Sequence, residues 1–381
     1  MKRLVVLAAV AIAAAGCSTY NPLKAVGIIS DPPNPPTPLT AITETVKPRA
    51  AWTASVGKSQ GFRLVPVLQE GRVYAVSADG TFTVLDATNG RAISTAQTQE
   101  RFSGGLGFGD GRLLGGTMKG EVVALDMAGK VEWKSAVAGE VIAPPAASRD
   151  VVVVRTSDGR IFGLGAADGK RRWVFQRPSP SLLLRTEAGV LAEGRDVVAG
   201  YPNGKLVALD IEDGKLTWEA TVATPRGSTE LERIADVAGL PLIDGNTICA
   251  VAYQGKIACF DIQSRNVVWS RDLSSSRSLA SDAKNIYAVD DDGRVHALDK
   301  KAGASLWTQD KLKYRKLTSP AVVNGYVVVG DGFGYLHVLS PEDGRLVGRL
   351  ATDGSPVLDL VPAKDGVLVQ TEKGTVALVR F

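Results

Sequence analysis

Beyond residue 51 the chain is a succession of short apolar runs cut by Gly, Asp and Asn. In one stretch the runs Ala321 to Val323, Tyr326 to Val329, Leu336 to Leu339 and Leu346 to Gly348 are separated by Asn324-Gly325, Asp331-Gly332 and Asp343-Gly344. Such dipeptides suit two-residue hairpin turns, because Gly reaches positive φ freely and Asn and Asp reach it more easily than other residues. The pattern predicts a four-stranded antiparallel meander.

The meander recurs. Taking the glycine that opens each unit as a register mark, Gly80, Gly120, Gly159, Gly204, Gly255, Gly293, Gly334 and Gly374 fall 40, 39, 45, 51, 38, 41 and 40 residues apart. A period near 40 in a strand-rich chain means repeated sheet units that bury their faces against one another. The motif is clearest in Gly204-Lys-Leu-Val-Ala-Leu-Asp210 with Gly214-Lys-Leu-Thr-Trp218, and again in Gly293-Arg-Val-His-Ala-Leu-Asp299 with Gly303-Ala-Ser-Leu-Trp307. Fourteen residues after the register glycine stand Trp173, Trp218, Trp269 and Trp307, with Trp133 one residue early and Ser94 and Gly348 filling the slot in the first and seventh units. The eighth unit has no such residue before Phe381. Instead Trp52-Thr-Ala-Ser-Val56, similar to Trp218-Glu-Ala-Thr-Val222, is expected to supply its last strand. The expected fold is all-β: an eight-bladed β-propeller of four-stranded antiparallel blades over residues 51–381, closed by the N-terminal strand, with the six tryptophans docking blade on blade. Closure hides the open edges that an alternative open solenoid would leave.

The N-terminus has a different character. Lys2 and Arg3 precede an apolar run from Leu4 to Ala15, too short to span a bilayer but of the length of a signal core. It ends Ala14-Ala15-Gly16-Cys17, and small residues directly before Cys resemble the bacterial lipobox. That resemblance implies a signal peptide over 1–16 and a lipidated Cys17, with Ser18 rather than Asp after it directing the protein to the outer membrane, where several acyl chains anchor stably. An ordinary secretory signal with a stray Cys is the alternative. Residues 17–50 carry Pro22, Pro32, Pro33, Pro35, Pro36, Pro38 and Pro48 without a period, which predicts an extended spacer without a core.

Composition narrows the function. The 44 Lys and Arg against 40 Asp and Glu give a net charge of +4, or +2 without Lys2 and Arg3, which makes no electrostatic case for nucleic acid. Two His and three Cys leave little material for a metal site or for His-dependent catalysis. His296 and His337 both lie three residues after a register glycine, so they are expected to be equivalent positions in adjacent blades rather than ligands of one ion. Cys249 and Cys259 lie at equal distances from Gln254 in a predicted hairpin, which leaves two possibilities open: a cross-strand disulfide, or two small buried apolar residues.

Repeats of the form Ala-Leu-Asp-x-x-x-Gly-x-x-x-Trp resemble the tryptophan-docking motif of the pyrroloquinoline-quinone propellers. Within that superfamily the lipobox, the Pro-rich spacer, Ala51-Trp52-Thr-Ala-Ser-Val-Gly57, Ser181-Leu-Leu-Leu-Arg185 and Gly227-Ser-Thr-Glu-Leu-Glu-Arg-Ile-Ala-Asp236 are similar to the BamB family of propeller lipoproteins. The resemblance implies no catalysis and no cofactor. It implies a scaffold of the outer-membrane β-barrel assembly machinery that binds the POTRA domains of BamA and other subunits, helps deliver nascent outer-membrane proteins, and faces the periplasm from a lipid anchor. Two alternatives stand beside it. A quinoprotein dehydrogenase of this superfamily would require a catalytic carboxylate, calcium ligands and an adjacent cysteine pair, and no Cys-Cys pair occurs. A sensor of a cell-wall component would use the channel of the ring.

The partner site is placed by topology as well. In a meander propeller every link from one blade's outer strand to the next blade's inner strand crosses the same face. The two links that depart most from the basic unit are consecutive: Trp173 to Gly204, with Leu182, Leu184 and Arg185, and Trp218 to Gly255, with Glu232, Arg233 and Asp236. They are expected to form one solvent-facing patch, an apolar anchor with charge around it, as interfaces have. The rival reading buries Leu182 and Leu184 in the fourth blade. The family resemblance points to Leu182, Leu184, Arg185 and Asp236, and this chain departs from the family pattern at Ala238, where a second acid is frequent.

Overall fold

The turn residues shape each repeat as their conformational freedom allows. In the seventh unit Ala321–Val323, Tyr326–Gly330, Tyr335–Leu339 and Leu346–Ala351 form an antiparallel meander. Its first turn takes Asn324 and Gly325 both to positive φ, +50° and +78°, the mirror-image turn that follows the twist of paired strands. The computed structural model describes residues 34–381 apart from positions 179, 181, 186 and 188. It contains eight four-stranded sheets and, among the described residues, no helix. The expected signal peptide, lipidated Cys17 and first half of the spacer lie outside the described residues.

The eight sheets are the blades of a β-propeller. Seven are continuous meanders, and in the eighth Arg49–Ser55 pairs with Thr375–Arg380, so that the N-terminal strand closes the ring as expected. The first strands of neighbouring blades approach one another and are innermost. In blade two that strand is Phe102–Gly109, and its glycines are dictated by crowding: a Cβ on Gly105 would lie 2.4 Å from Val65 N, and one on Gly107 1.8 Å from Pro145 O. The core sits between blades rather than within them. One cluster joins Tyr74 and Phe82 of blade one to Phe102, Leu113 and Val123 of blade two, and a similar cluster follows at each junction.

Tryptophan fixes most junctions. The indole N–H of Trp52, Trp133, Trp173, Trp269 and Trp307 donates to the carbonyl of Ala87, Ala166, Ile211, Lys300 and Pro341 respectively, each in the following blade, at 2.8–2.9 Å. The ring lies flat on the outer turn of that blade, against Gly90, Gly169, Gly214, Gly303 or Gly344, where a Cβ would come within about 2.5 Å of the indole. Trp218 docks differently. Its counterpart turn has Arg265 at φ +63° in place of glycine, and the indole meets Phe260 of blade five edge-on at 5.7 Å instead. Where the tryptophan is missing, other groups fill the space. Phe82 presses on Gly129 at the first junction, and at the seventh the chain before the closing strand lies over Gly348, with Val46 O and Pro48 Cδ 2.8 and 2.9 Å from where its Cβ would be.

That last contact corrects the expected spacer, which does not extend to residue 50. Thr37 N donates to Lys313 O at 3.0 Å, Arg315 and Arg349 donate to the carbonyls of Thr37 and Thr40, and Thr45 and Val46 both donate to Val347 O. Val46 is buried against Val338 and Val347. Residues 36–48 are a strap on blade seven. Its apolar contacts come singly rather than periodically, so no sequence period announces it. Elsewhere the structure resolves the open alternatives: Cys249 and Cys259 face each other across adjacent strands, Cα atoms 4.0 Å apart, and form a disulfide. His296 and His337 do occupy equivalent positions, each bonded through Nε2 to the aspartate that opens its turn, Asp290 at 2.9 Å and Asp331 at 3.0 Å.

Two predictions follow from these junctions. Gly214 and Gly194 both have positive φ, but only Gly214 abuts a tryptophan. Gly194→Ala should cost only the ~1–2 kcal/mol of a left-handed backbone, whereas Gly214→Ala should cost about 2 kcal/mol more through overpacking, as read by urea unfolding. For the strap, deleting residues 18–35 should leave the melting temperature unchanged, and deleting 18–46 should lower it measurably, because the second truncation uncovers Val338 and Val347.

Candidate functional site

Because the first strand of each blade is innermost and the strands alternate in direction, the links between blades and the turns at the register glycines share one face. The link from blade three to blade four (176–190) and that from blade four to blade five (222–241) are neighbours on it, as expected. What joins them is Asp236. One carboxylate oxygen accepts the backbone N–H of Leu184 at 2.7 Å and the other that of Asn203 at 3.1 Å. Its own backbone continues the seam: Asp236 O accepts Tyr253 N–H of blade five, and Val237 N–H donates to Tyr201 O of blade four. Gly200 permits this, since a Cβ there would lie 2.3 Å from Val237 O.

Asp236 is therefore not solvent-facing as the sequence suggested: it is only 4% exposed. A short side chain between two links has backbone N–H groups within reach on both sides, and satisfying them in a buried seam is worth more than hydration. Burial holds its carboxyl above the usual range, while the two N–H bonds and the nearby Arg155 charge oppose that shift. Arg155, at the end of Val151–Arg155 in blade three, is itself buried, with Nε and Nη1 unpartnered, and desolvation pushes its pKa down to about 10. The carboxylate and the guanidinium thus offset each other's charge across the seam.

The other predicted residues divide. Leu182 is 46% exposed and does not enter the blade-four core, whereas Leu184 is half-buried with its N–H held by Asp236. Arg185 is exposed and pairs with Glu140 of the preceding link, Nε and Nη2 both 3.1 Å from Oε2, and touches Met118 Sδ. Glu232 and Arg233 are exposed but engaged within their own turn. Glu232 accepts Ser228 and Thr229 N–H at 2.8 and 3.1 Å, and Arg233 donates to the carbonyls of Gly227 and Ser228. Just before them Leu231 stands 65% exposed. Sequence spacing could not find Glu140, Met118 or Arg155, since each lies in another blade. Leu231 carried a weak signal, an apolar residue in a polar insertion. Among the described residues no group of three or more His, Cys, Asp or Glu is gathered where it could hold a metal ion.

The two charged groups should respond differently to removal. Asp236→Ala deletes two charge-assisted bonds and leaves Arg155 uncompensated, so it should cost about 3 kcal/mol or more. Arg185→Ala deletes an exposed ion pair and should cost under about 1 kcal/mol. The folded protein holds the Asp236 proton more tightly than the unfolded chain, so this group's contribution to stability falls as pH rises from the ordinary carboxylate range through its raised folded value. Denaturant titrations of wild type and Asp236→Asn across that range should show the wild-type slope reduced in the variant.

A family model described as outer membrane protein assembly factor BamB matches residues 83–309 and 302–380. The chain is 40% identical over 372 residues to the outer membrane protein assembly factor BamB of Bordetella pertussis, covering 97% of this chain and 94% of that one. It is 35% identical over 376 residues to the Escherichia coli protein of the same name, covering 95% and 94%. Among solved structures, BamB from Moraxella catarrhalis superposes with a TM-score of 0.81 at 29% identity, covering 86% of this chain and 98% of that one. A quinohemoprotein alcohol dehydrogenase from Comamonas testosteroni superposes at 0.70 with 13% identity over 89% of this chain and 78% of its own, a likeness of fold alone.

Proposed function

The chain belongs to the BamB family of outer membrane protein assembly factors, and we propose that it acts as a non-enzymatic scaffold of that assembly, docking the POTRA domains of BamA on its link face. The observation that carries this is the pairing of an exposed apolar side chain, Leu182, with an exposed guanidinium, Arg185, on a link that buried Asp236 holds in place. An interface needs an anchor that does not have to be ordered on binding, and the clasp supplies one. Leu182, Leu184 and Arg185 make the contact and Asp236 positions them. Glu232 and Arg233 shape the adjoining insertion that displays Leu231. The charge lost at Ala238, which is buried, shifts weight onto Arg185.

A lipidated Cys17 would tether the ring to the outer membrane on its periplasmic side and raise the local concentration of the partner. Other subunits of the complex and nascent outer-membrane proteins are further partners in this scheme. The motif residues have structural employment: the tryptophans and glycines hold blades together, and both histidines close turns.

Truncating a true hot-spot arginine costs about 2 kcal/mol or more, at least roughly thirtyfold in affinity. Arg185→Ala should therefore weaken binding to isolated BamA POTRA domains by that factor at an unchanged melting temperature, measured by calorimetry. Glu140→Gln, which releases Arg185, should bind as well as wild type or better, and His296→Ala in blade six should bind normally. Wild-type affinity in a Leu182→Ala, Arg185→Ala double variant would sink the proposal.

A further inference from the structure

The link face has a second feature, at the mouth of the central channel. A cavity of about 220 Å³ opens there, and its wall includes Arg63, Arg185, Glu187, Arg277, Ser278 and Ser319. Two of the three arginines are committed: Arg63 holds Asp359 at 2.8 Å and Arg185 holds Glu140. Arg277 is not. It is half-buried, and among the described residues its guanidinium makes no hydrogen bond or ion pair; partial desolvation and the neighbouring charge of Arg63 pull its pKa below the ordinary value, with the more distant charges of Glu187, Asp291 and Asp359 opposing them. A half-buried guanidinium in a cavity wall, its donors unbonded to protein, is placed to receive an incoming acceptor.

The serines on the same wall are also short of acceptors. Ser278 Oγ accepts Leu240 N–H at 2.9 Å and Ser319 Oγ accepts Ser278 N–H at 3.0 Å. A hydroxyl accepting in this way keeps its own proton to donate, and among the described residues neither proton has an acceptor. The close approach of the two links that builds this wall is itself enforced, since a Cβ on Gly239 would lie 2.4 Å from Arg277 O. The wall thus offers a guanidinium and two hydroxyls with nothing to receive them.

We propose that the channel mouth is a carboxylate site: an Asp or Glu side chain of the protein that docks on the link face enters it and is received by Arg277, Ser278 and Ser319. Glu187 on the same wall disfavours a dianion such as phosphate and leaves room for a single negative charge. The site lies beside Leu184 and Arg185, continuous with the docking patch. The inference rests on that patch being the POTRA site, and its test separates the two.

The experiment uses the full chain and two variants, Arg277→Gln and Arg277→Lys. Arg277→Gln should weaken POTRA binding about tenfold while the melting temperature stays level, because the guanidinium of Arg277 gives up no hydrogen bond or ion pair to the described residues. Arg277→Lys should restore part of the affinity. Separately, potassium acetate should raise the melting temperature of wild type above that in potassium chloride of equal ionic strength, and should not do so for Arg277→Gln. Wild-type POTRA affinity in Arg277→Gln overturns the proposal and leaves docking through Arg185 standing. An acetate shift shared by wild type and variant overturns it too, as does a loss of binding that tracks a loss of stability. If wild type fails to bind POTRA domains at all, the docking scheme falls, and an acetate shift confined to wild type would then assign the site to small carboxylates and overturn the occupant proposed here.

Discussion

Everything in this ring depends on one contact: an indole laid flat on a glycine turn of the next blade, its N–H bonded to a carbonyl there. A four-stranded sheet of this size cannot bury its apolar faces alone, and here the core exists only between blades. The contact supplies apolar area, a directional bond to the neighbouring blade, and a strong preference for glycine where the ring rests. Five junctions use it in full. Eight blades stacked in this way bring the chain back to its start and place residue 52 beside residue 378.

The departures from the contact are where the ring becomes particular. At the junction of blades four and five Arg265 replaces glycine, Trp218 turns to Phe260, and the same two blades are joined on the link face by the longest insertion. At the seventh junction Gly348 leaves a gap that the strap fills, and Arg315 and Arg349 hold the strap from a cluster built on buried Asp331 and His337.

On the link face, charge that looks superficial is divided by burial into separate tasks. Asp236 is desolvated and positions the link. Arg185 stays in water, balanced by an exposed glutamate that a partner can displace at little cost. Arg277 lines the channel mouth with its guanidinium unbonded to the described residues. In the proposed docking scheme, contact residues held before the partner arrives cost less entropy on binding, and the seam through Asp236 would serve that end.

The sequence by itself determined the repeat number, the strand and turn order, the closing N-terminal strand, and which two enlarged links lie side by side on one face, because period, turn chemistry and chain order are local properties. Leu182 and Arg185 were legible as exposed positions for the same reason: they interrupt a repeat that does not need them. Only the tertiary structure decided that Asp236 is buried, that Arg185 meets Glu140, that Cys249 and Cys259 are bonded, and that residues 36–48 belong to the ring. Each of these joins residues from different blades, adjacent strands or distant ends of the chain. Apart from the disulfide, whose two cysteines the spacing about Gln254 already set opposite each other without deciding whether they bond, burial and pairing across such distances arise from how neighbouring repeats stack, and no spacing within one repeat encodes them.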